Sequence, residues 1–291
     1  MPVGFGGRIR DVTVAARHFV HCVFEPSYMP VYYRILRTAR RKGMLIGWGD
    51  YGHRLLGTEL VFGPRAIDFC QDHYPRRRVY AGISVDTARV EDDFDWSIVD
   101  PRRPLVYCAI GSHGGYWNAG NRARPLMSVV QSFRVHPERQ LLLQTAGEAE
   151  RARLAPLPGN VVASSWYLPL QVLERTAVFI THGGLGSVRE ALLLGVPMII
   201  FPFSVDQSGN AARVRRVRVG LSGDIRMVTA DTISSMLREV ERPPFRENAA
   251  GLSKLVRAHS NCEDAVAGIE GACVDDAQGF PPQEEGGLEN R

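Results

Sequence analysis

The sequence predicts an α/β fold whose later part, from 104 to 270, is a parallel sheet covered by helices on both faces. Three observations predict it. Short apolar runs alternate with helical periodicities along this whole stretch. Two of the runs, at 178–180 and 197–201, are apolar at consecutive positions, as strands buried on both faces must be. Between them Gly183-Gly184 break the chain, and Val188, Ala191 and Leu192 recur at helical spacing until Gly195 stops the helix. Strand, glycine turn, helix and second strand make a βαβ unit. A turn of small residues lets an anion approach bare backbone N–H groups, and the helix dipole favours its negative charge.

Taken in order, residues 12–23 form an apolar run interrupted by Arg17, His18 and His21. Val31, Ile35 and Ala39 then suggest a helix whose other face carries Arg34, Arg37, Arg40 and Arg41. That face is read as a solvated one on a docked helix, with a membrane-surface role as the weaker reading. Glycines at 43, 47, 49, 52 and 57 make the next stretch loop-rich. Strands are expected at 60–62 and 79–82. Residues 1–85 are assigned to a partial N-terminal domain, and 86–103, ending in Asp-Pro-Arg-Arg, to a linker. In the later domain strands are expected at 105–110, 140–144, 161–164, 178–181 and 198–201. Helices are expected at 122–133, 170–175, 185–194 and 207–218. Thr229 or Asp231 can cap a further helix bearing Ile233, Met236, Leu237 and Val240. A last helix presents Phe245, Ala249, Leu252 and Val256 on one face. Residues 271–291, rich in Gly, Pro and acid, are expected to be a disordered tail.

Composition excludes several classes of protein. Of 291 residues 45% are apolar and 23% charged, which describes a globular chain with a core. No apolar run approaches a membrane span, and no signal-peptide pattern opens the sequence, so a cytoplasmic location with at most peripheral membrane contact is expected. Five scattered cysteines show no metal-ligand spacing and are read as reduced thiols. A net charge of +4 is too slight for a nucleic-acid surface.

The chemistry concentrates where loops follow strands, because ligands of such sheets bind outside the strands' carboxyl ends. Gly111-Ser112, the stretch from His182 to Ser187, and the stretch from Pro202 to Gln207 all do so and are expected to line one crevice. The pattern His-Gly-Gly-x-Gly-Ser-x-x-Glu-Ala-Leu from 182, then Gly-Val-Pro, Pro, Asp-Gln and Asn-Ala, resembles the donor-binding signature of the family 1, UDP-glycosyltransferase-like enzymes. The likeness is to the bacterial macrolide and carotenoid type, spans 104 to 270, and is densest between Trp166 and Asn210. It implies a GT-B fold, in which the second of two Rossmann-like domains binds a nucleotide-sugar. It also implies roles. His182 meets the diphosphate. Ser187, with the N–H groups around Gly183, Gly184 and Gly186, meets the phosphate oxygens. Glu190 accepts the ribose hydroxyls, Asp206 and Gln207 hydrogen-bond the sugar, Trp166 stacks on the base, and Ser112 is a further phosphate candidate.

Two departures from the family pattern concern the nucleotide. Trp166-Tyr167-Leu168-Pro169 stands where aromatic-x-Pro-Gln is usual, so the glutamine facing base or ribose is missing and Gln171 lies two residues beyond. Gly186 stands where plant relatives carry Asn. The Arg213, Arg215, Arg216 and Arg218 cluster is read as a solvated face.

The implied reaction is inverting transfer of a hexose from a UDP-sugar co-substrate to a hydroxyl of a small lipophilic acceptor, with no cofactor and no metal. Helix N-terminus, Ser187 and His182 would stabilise the leaving diphosphate. The general base of the family lies early in the first domain, and too few residues precede Pro104 for that domain. The chain is therefore read as truncated at its N-terminus, and the catalytic base is left unassigned; His18, His21 and His53 have no supporting motif. Two alternatives stay open. One is an inactive donor-binding module, or one that depends on a partner chain supplying the acceptor domain. The other is a GT-B relative of different chemistry, such as the lipid II-forming GlcNAc transferase or a UDP-sugar epimerase.

Overall fold

A computed structural model describes the fold of residues 46–49, 52–55, 59–68, 78–89, 94–111, 119–203 and 205–258, with short helical pieces at 33–34, 37–38, 41, 266–267 and 269–271. The chain divides into two compact units. The smaller takes in Met1–Glu59, Pro75–Arg78 and Glu270–Arg291, and the larger Leu60–Tyr74 and Val79–Ile269.

In the smaller unit, strands β1 (Ile46–Gly49) and β2 (Gly52–Leu55) pair antiparallel, with Gly49 opposite Gly52. A hairpin therefore stands where the glycines suggested loop. Two of those glycines, Gly49 and Gly52, are the paired residues at the hairpin's closed end. Of the basic helix expected near 31–41, the described Tyr33, Arg34, Arg37 and Arg41 are helical and exposed. The tail from 272 lies outside the described residues.

The larger unit holds a six-stranded sheet in the order β10-β9-β8-β5-β6-β7, every pair parallel. Its strands are β5 (Leu105–Ala109), β6 (Gln140–Gln144), β7 (Val161–Ser164), β8 (Thr176–Thr181), β9 (Met198–Ile200) and β10 (Gly220–Ser222). Helices α1 (Ala119–Arg134), α2 (Glu148–Leu154), α3 (Pro169–Glu174), α4 (Leu185–Leu194), α5 (Val205–Arg216), α6 (Ala230–Val240) and α7 (Pro243–Ala258) cover it. Strands alternate their side chains between two cores. Leu105, Tyr107, Phe179, Met198 and Ile200 pack with α4, α5 and α7 through Val188, Ala191, Val214 and Ala249. Val106, Cys108, Ile180 and Ile199 pack with α1 and α6 through Leu126, Val130, Ile233 and Leu237. Both faces are buried, which is why these strands read as unbroken apolar runs.

The expected elements are present, and two more join them. Helix α2 has a single buried apolar residue, Leu154, and its buried Glu150 accepts the Ala146 N–H at 2.6 Å instead of packing a stripe. Strand β10 is three residues long and exists through its pairing with β9. Neither carries a periodic signal. Thr229, not Asp231, caps α6, its hydroxyl accepting the Thr232 N–H at 3.1 Å.

Strands β3 (Glu59–Val61) and β4 (Arg78–Tyr80) pair as a separate two-stranded ribbon. The chain after β4 then runs over the first core. Ile83 is buried in that core, and Val85, Phe94, Trp96 and Val99 pack against it. Gln171 accepts the Phe94 N–H at 3.0 Å, and Phe94 packs edge-on against Trp96 and tilted against Tyr167. Residues 65–68 are held to α5, where Arg216 donates to the Asp68 carbonyl at 3.1 Å. One arginine of the basic cluster is thus a tether rather than part of a solvated face.

Candidate functional site at the carboxyl edge of the sheet

From β5 the chain winds outward to β6 and β7, then returns to place β8 on the other side of β5 and continue to β9 and β10. The reversal falls between β5 and β8, the place where such sheets open a crevice. Register brings the loops together there. Ala109 lies opposite Thr181, and Thr181 opposite Ile200, so Gly111, His182 and the 201–203 loop leave the sheet side by side.

His182 is the centre of this junction. A side chain on Gly111 would meet its ring at 3.0 Å, and one on Gly184 would meet Nε2 at 2.5 Å. Phe203 stacks on the ring with centroids 5.6 Å apart, and Thr181 Oγ1 lies 3.4 Å from Nδ1. The imidazole is therefore seated between two bare backbone stretches and one aromatic ring. Gly183 turns the chain with φ +85°, a conformation that disfavours any side chain, and a Cβ there would strike Ile200 at 2.6 Å. Asn210 on α5 locks the turn by donating to the Gly183 carbonyl at 2.9 Å. Gly184 is the N-cap of α4 and, being glycine, supplies no side-chain acceptor to the first turn. Those N–H groups point into the crevice end of the helix.

The remaining predicted residues fall as follows. Gly186 and Ser187 lie in the first turn of α4, with Gly186 exposed and Ser187 half-buried. Asp206 is exposed in the first turn of α5. Gln207 beside it is only 7% exposed, and its Oε1 accepts the Phe203 N–H at 3.0 Å, which shapes the loop after β9. Trp166, 60% exposed, follows β7 at the far side of the sheet order. Its neighbour Tyr167 is buried instead, its hydroxyl donating to the Val162 carbonyl at 2.9 Å. Ser112 lies outside the described residues, as do the side chains of His18, His21 and His53. Gln171, the displaced glutamine, is engaged with the Phe94 backbone.

Glu190 projects from the middle of α4 with its side chain 15% exposed, and Arg89 Nη1 lies 3.0 Å from its Oε1. Burial first, and then nearby charge that includes Glu190, push the Tyr107 hydroxyl well above the ordinary tyrosine range. That hydroxyl donates to Gln144 Oε1 at 3.0 Å. Arg89, Phe203 and Asn210 complete the site; sequence reasoning singled out Asn210 only as part of a motif and did not find the other two as contacts. Arg89 and Glu190 are 101 positions apart, and no local pattern announces such a pair. Among the described residues no three His, Cys, Asp or Glu side chains cluster as a metal site, and no helix is long and apolar enough to cross a membrane.

Comparison with known proteins points to the same region. Residues 140–270 match the erythromycin biosynthesis protein CIII-like C-terminal domain. The chain is 34% identical to the oleandomycin glycosyltransferase of Streptomyces antibioticus over 110 residues, 38% of this chain and 25% of that one. The solved structure of the glycotransferase of kitacinnamycin superposes with a TM-score of 0.70 at 28% identity, covering 91% of this chain and 66% of that one. The glycosyltransferase VinC in complex with DTDP gives 0.62 at 20% identity, covering 84% and 58%, a likeness of fold. The chain spans between a quarter and about half of the length of the curated relatives it first matches. The doubly wound sheet, the His182 turn and these matches fall in one place, where the chain is similar to the family 1, macrolide-type glycosyltransferases and shares their GT-B fold.

Proposed function

We propose that the chain binds a nucleotide-sugar at the carboxyl edge of its sheet and takes part in inverting transfer of a hexose to a hydroxyl of a small lipophilic acceptor. The observation that carries this reading is the seating of His182. Its ring stands at the strand reversal beside the uncapped start of α4, and the glycines at 111 and 184 leave it room that any side chain would close. A diphosphate placed there meets the helix N–H groups, the helix dipole, Ser187 and His182 together. Charge gathers on the leaving diphosphate as the glycosidic bond breaks, and groups aimed at it beforehand lower that barrier without reorganising. In this reading the site works without a metal, Glu190 takes the ribose, Asp206 and Gln207 take the sugar, and Trp166 covers the base. Ser112 is a further phosphate ligand. The donor nucleotide is uridine diphosphate, as the motif implies. Thymidine diphosphate, present in the VinC complex, is its competitor in any test. The acceptor's hydroxyl needs a general base; none is assigned in this chain, and in the alternative reading a partner chain supplies it. We place the reaction in the cytoplasm, with no nucleic-acid partner and at most peripheral membrane contact.

Calorimetric titration of the chain with UDP, UDP-glucose and dTDP, beside His182→Ala, tests the donor site. Micromolar binding that the variant weakens at least about tenfold, about 1.4 kcal/mol, supports it. A folded chain that binds none of the three would overturn it. Product analysis with a sugar donor and a hydroxylated acceptor then separates transfer from binding alone.

A further inference from the structure

We propose that Arg89 is a positioning residue of the donor site, orienting the Glu190 carboxylate for the ribose hydroxyls. The proposal rests on the donor-site reading above and extends it to a residue outside the sheet and outside the motif.

Three observations carry it. The first is the ion pair itself, with Arg89 Nη1 at 3.0 Å from Glu190 Oε1 and the two side chains 34% and 15% exposed. Such a pair is screened less than a surface one and holds its geometry better. The second is how Arg89 is presented. Asp86 accepts the Ala88 N–H at 2.9 Å, making a turn just before it. Further along, Phe94 is pinned to Gln171 and packed against Trp96 and Tyr167. Before that turn, Ile83 is buried in the first core and Val85 packs against it, so described residues on either side of Arg89 are held to the sheet domain. The third is the place of Glu190, on the helix that starts at the His182 turn and near Tyr107 of the central strand.

A glutamate has three side-chain torsions, and ordering them on binding costs affinity. A guanidinium already bonded to one oxygen orders them in advance. A carboxylate offers about four acceptor positions, so engaging Arg89 leaves it able to accept two hydroxyls as well. The effect falls on the ribose and not on the diphosphate, which the His182 turn holds by itself. The strap segment that packs on the sheet domain therefore contributes to donor recognition.

The test is titration of the full chain and of Arg89→Ala, Arg89→Lys, Glu190→Gln and the double variant Arg89→Ala/Glu190→Gln, with UDP and with inorganic pyrophosphate. Arg89→Ala should weaken UDP about fivefold or more and leave pyrophosphate within about twofold. Arg89→Lys should recover part of the loss. The double variant should bind UDP no more weakly than Glu190→Gln alone, because the two residues act as one unit. Additive losses, or UDP binding unchanged in Arg89→Ala, overturn the proposal. So does an equal loss for UDP and pyrophosphate with a lowered melting temperature, which marks a purely structural pair. If Glu190→Gln leaves UDP untouched while His182→Ala still weakens it, the ribose assignment falls with this proposal and the diphosphate site stands. If the parent chain binds neither probe, the donor reading falls too.

Discussion

At the amino edge of the sheet, side-chain amides and ion pairs close off the backbone. Asn160 Nδ2 lies within 2.9 to 3.1 Å of the carbonyls of Phe133, His136 and Arg139. Gln140 donates to the carbonyls of Asp100 and Arg103 and accepts the Asp100 N–H. Arg139 grips Glu241 with two bonds, at 2.9 and 2.6 Å. At the carboxyl edge, by contrast, the His182 turn is shaped by subtraction: glycine at 111, 183 and 184, two of them left-handed, and a helix start with no side-chain cap. One edge satisfies its own polar groups. The other is built from glycines that leave space around His182 and the start of α4. That difference separates what keeps the sheet together from what it can bind, and substitutions at the two edges should separate the same way.

The largest effect on stability is expected from Asn160→Ala, which strips the shared donor from three carbonyls near the start of β7. The loss should be about 1–3 kcal/mol, and the melting temperature of a domain of this size should fall by about 2–4 °C per kcal/mol. UDP affinity should not change, and a parallel loss of binding would break the separation of the edges. Next comes Gly183→Ala, the one change expected to cross between them. Its φ of +85° costs an alanine about 1–2 kcal/mol, and the new methyl meets Ile200 in the core, so melting temperature and nucleotide affinity should fall together. Gly184→Ala sharpens the comparison. The methyl would stand 2.5 Å from His182 Nε2 while the backbone, at φ −59°, suits alanine. Nucleotide binding should weaken by about tenfold, about 1.4 kcal/mol, with little change in melting temperature.

The smallest effect is the pH dependence at the amino edge. The Arg102 side chain first, then the Arg102 backbone N–H, hold the Asp100 carboxyl below the usual carboxylate range. A depressed value means that the folded chain releases this proton more readily than the unfolded one. Its contribution to stability is therefore present above the ordinary carboxylate pKa of about 4 and is lost as pH falls through the lowered folded value. Asp100→Asn should flatten the acid limb of a melting-temperature against pH curve slightly, without altering nucleotide binding at neutral pH. An unchanged acid limb would show that this exposed cluster contributes nothing.

The strands of the later domain were legible because burial on both faces writes itself as consecutive apolar residues, as at 105–109 and 178–180. Helix α4 was legible from Val188, Ala191 and Leu192 with Gly195 after them, which takes φ +70° as a left-handed cap. The glycines of the His182 turn were legible as a turn, yet not as spaces for an imidazole, because the clash that excludes a side chain at 111 comes from a residue 71 positions away. α2 and β10 left no trace, since an amide-to-carboxylate bond and a pairing with β9 hold them, not a stripe.

What this sequence determined alone is therefore everything that local period and small-residue punctuation encode: an alternating α/β sheet, the loops at its carboxyl edge, and the motif on which the family likeness rests. Tertiary structure decided the rest. It chose which glycine faces His182, set Asn210 on the Gly183 carbonyl and Phe203 on the ring, turned Gln171 to the Phe94 backbone, and brought Arg89 to Glu190. Each of these is a contact between segments distant in the chain, and hydrogen bonds and ion pairs of that kind depend on the register and order of the strands. No periodicity within a single element can carry that information.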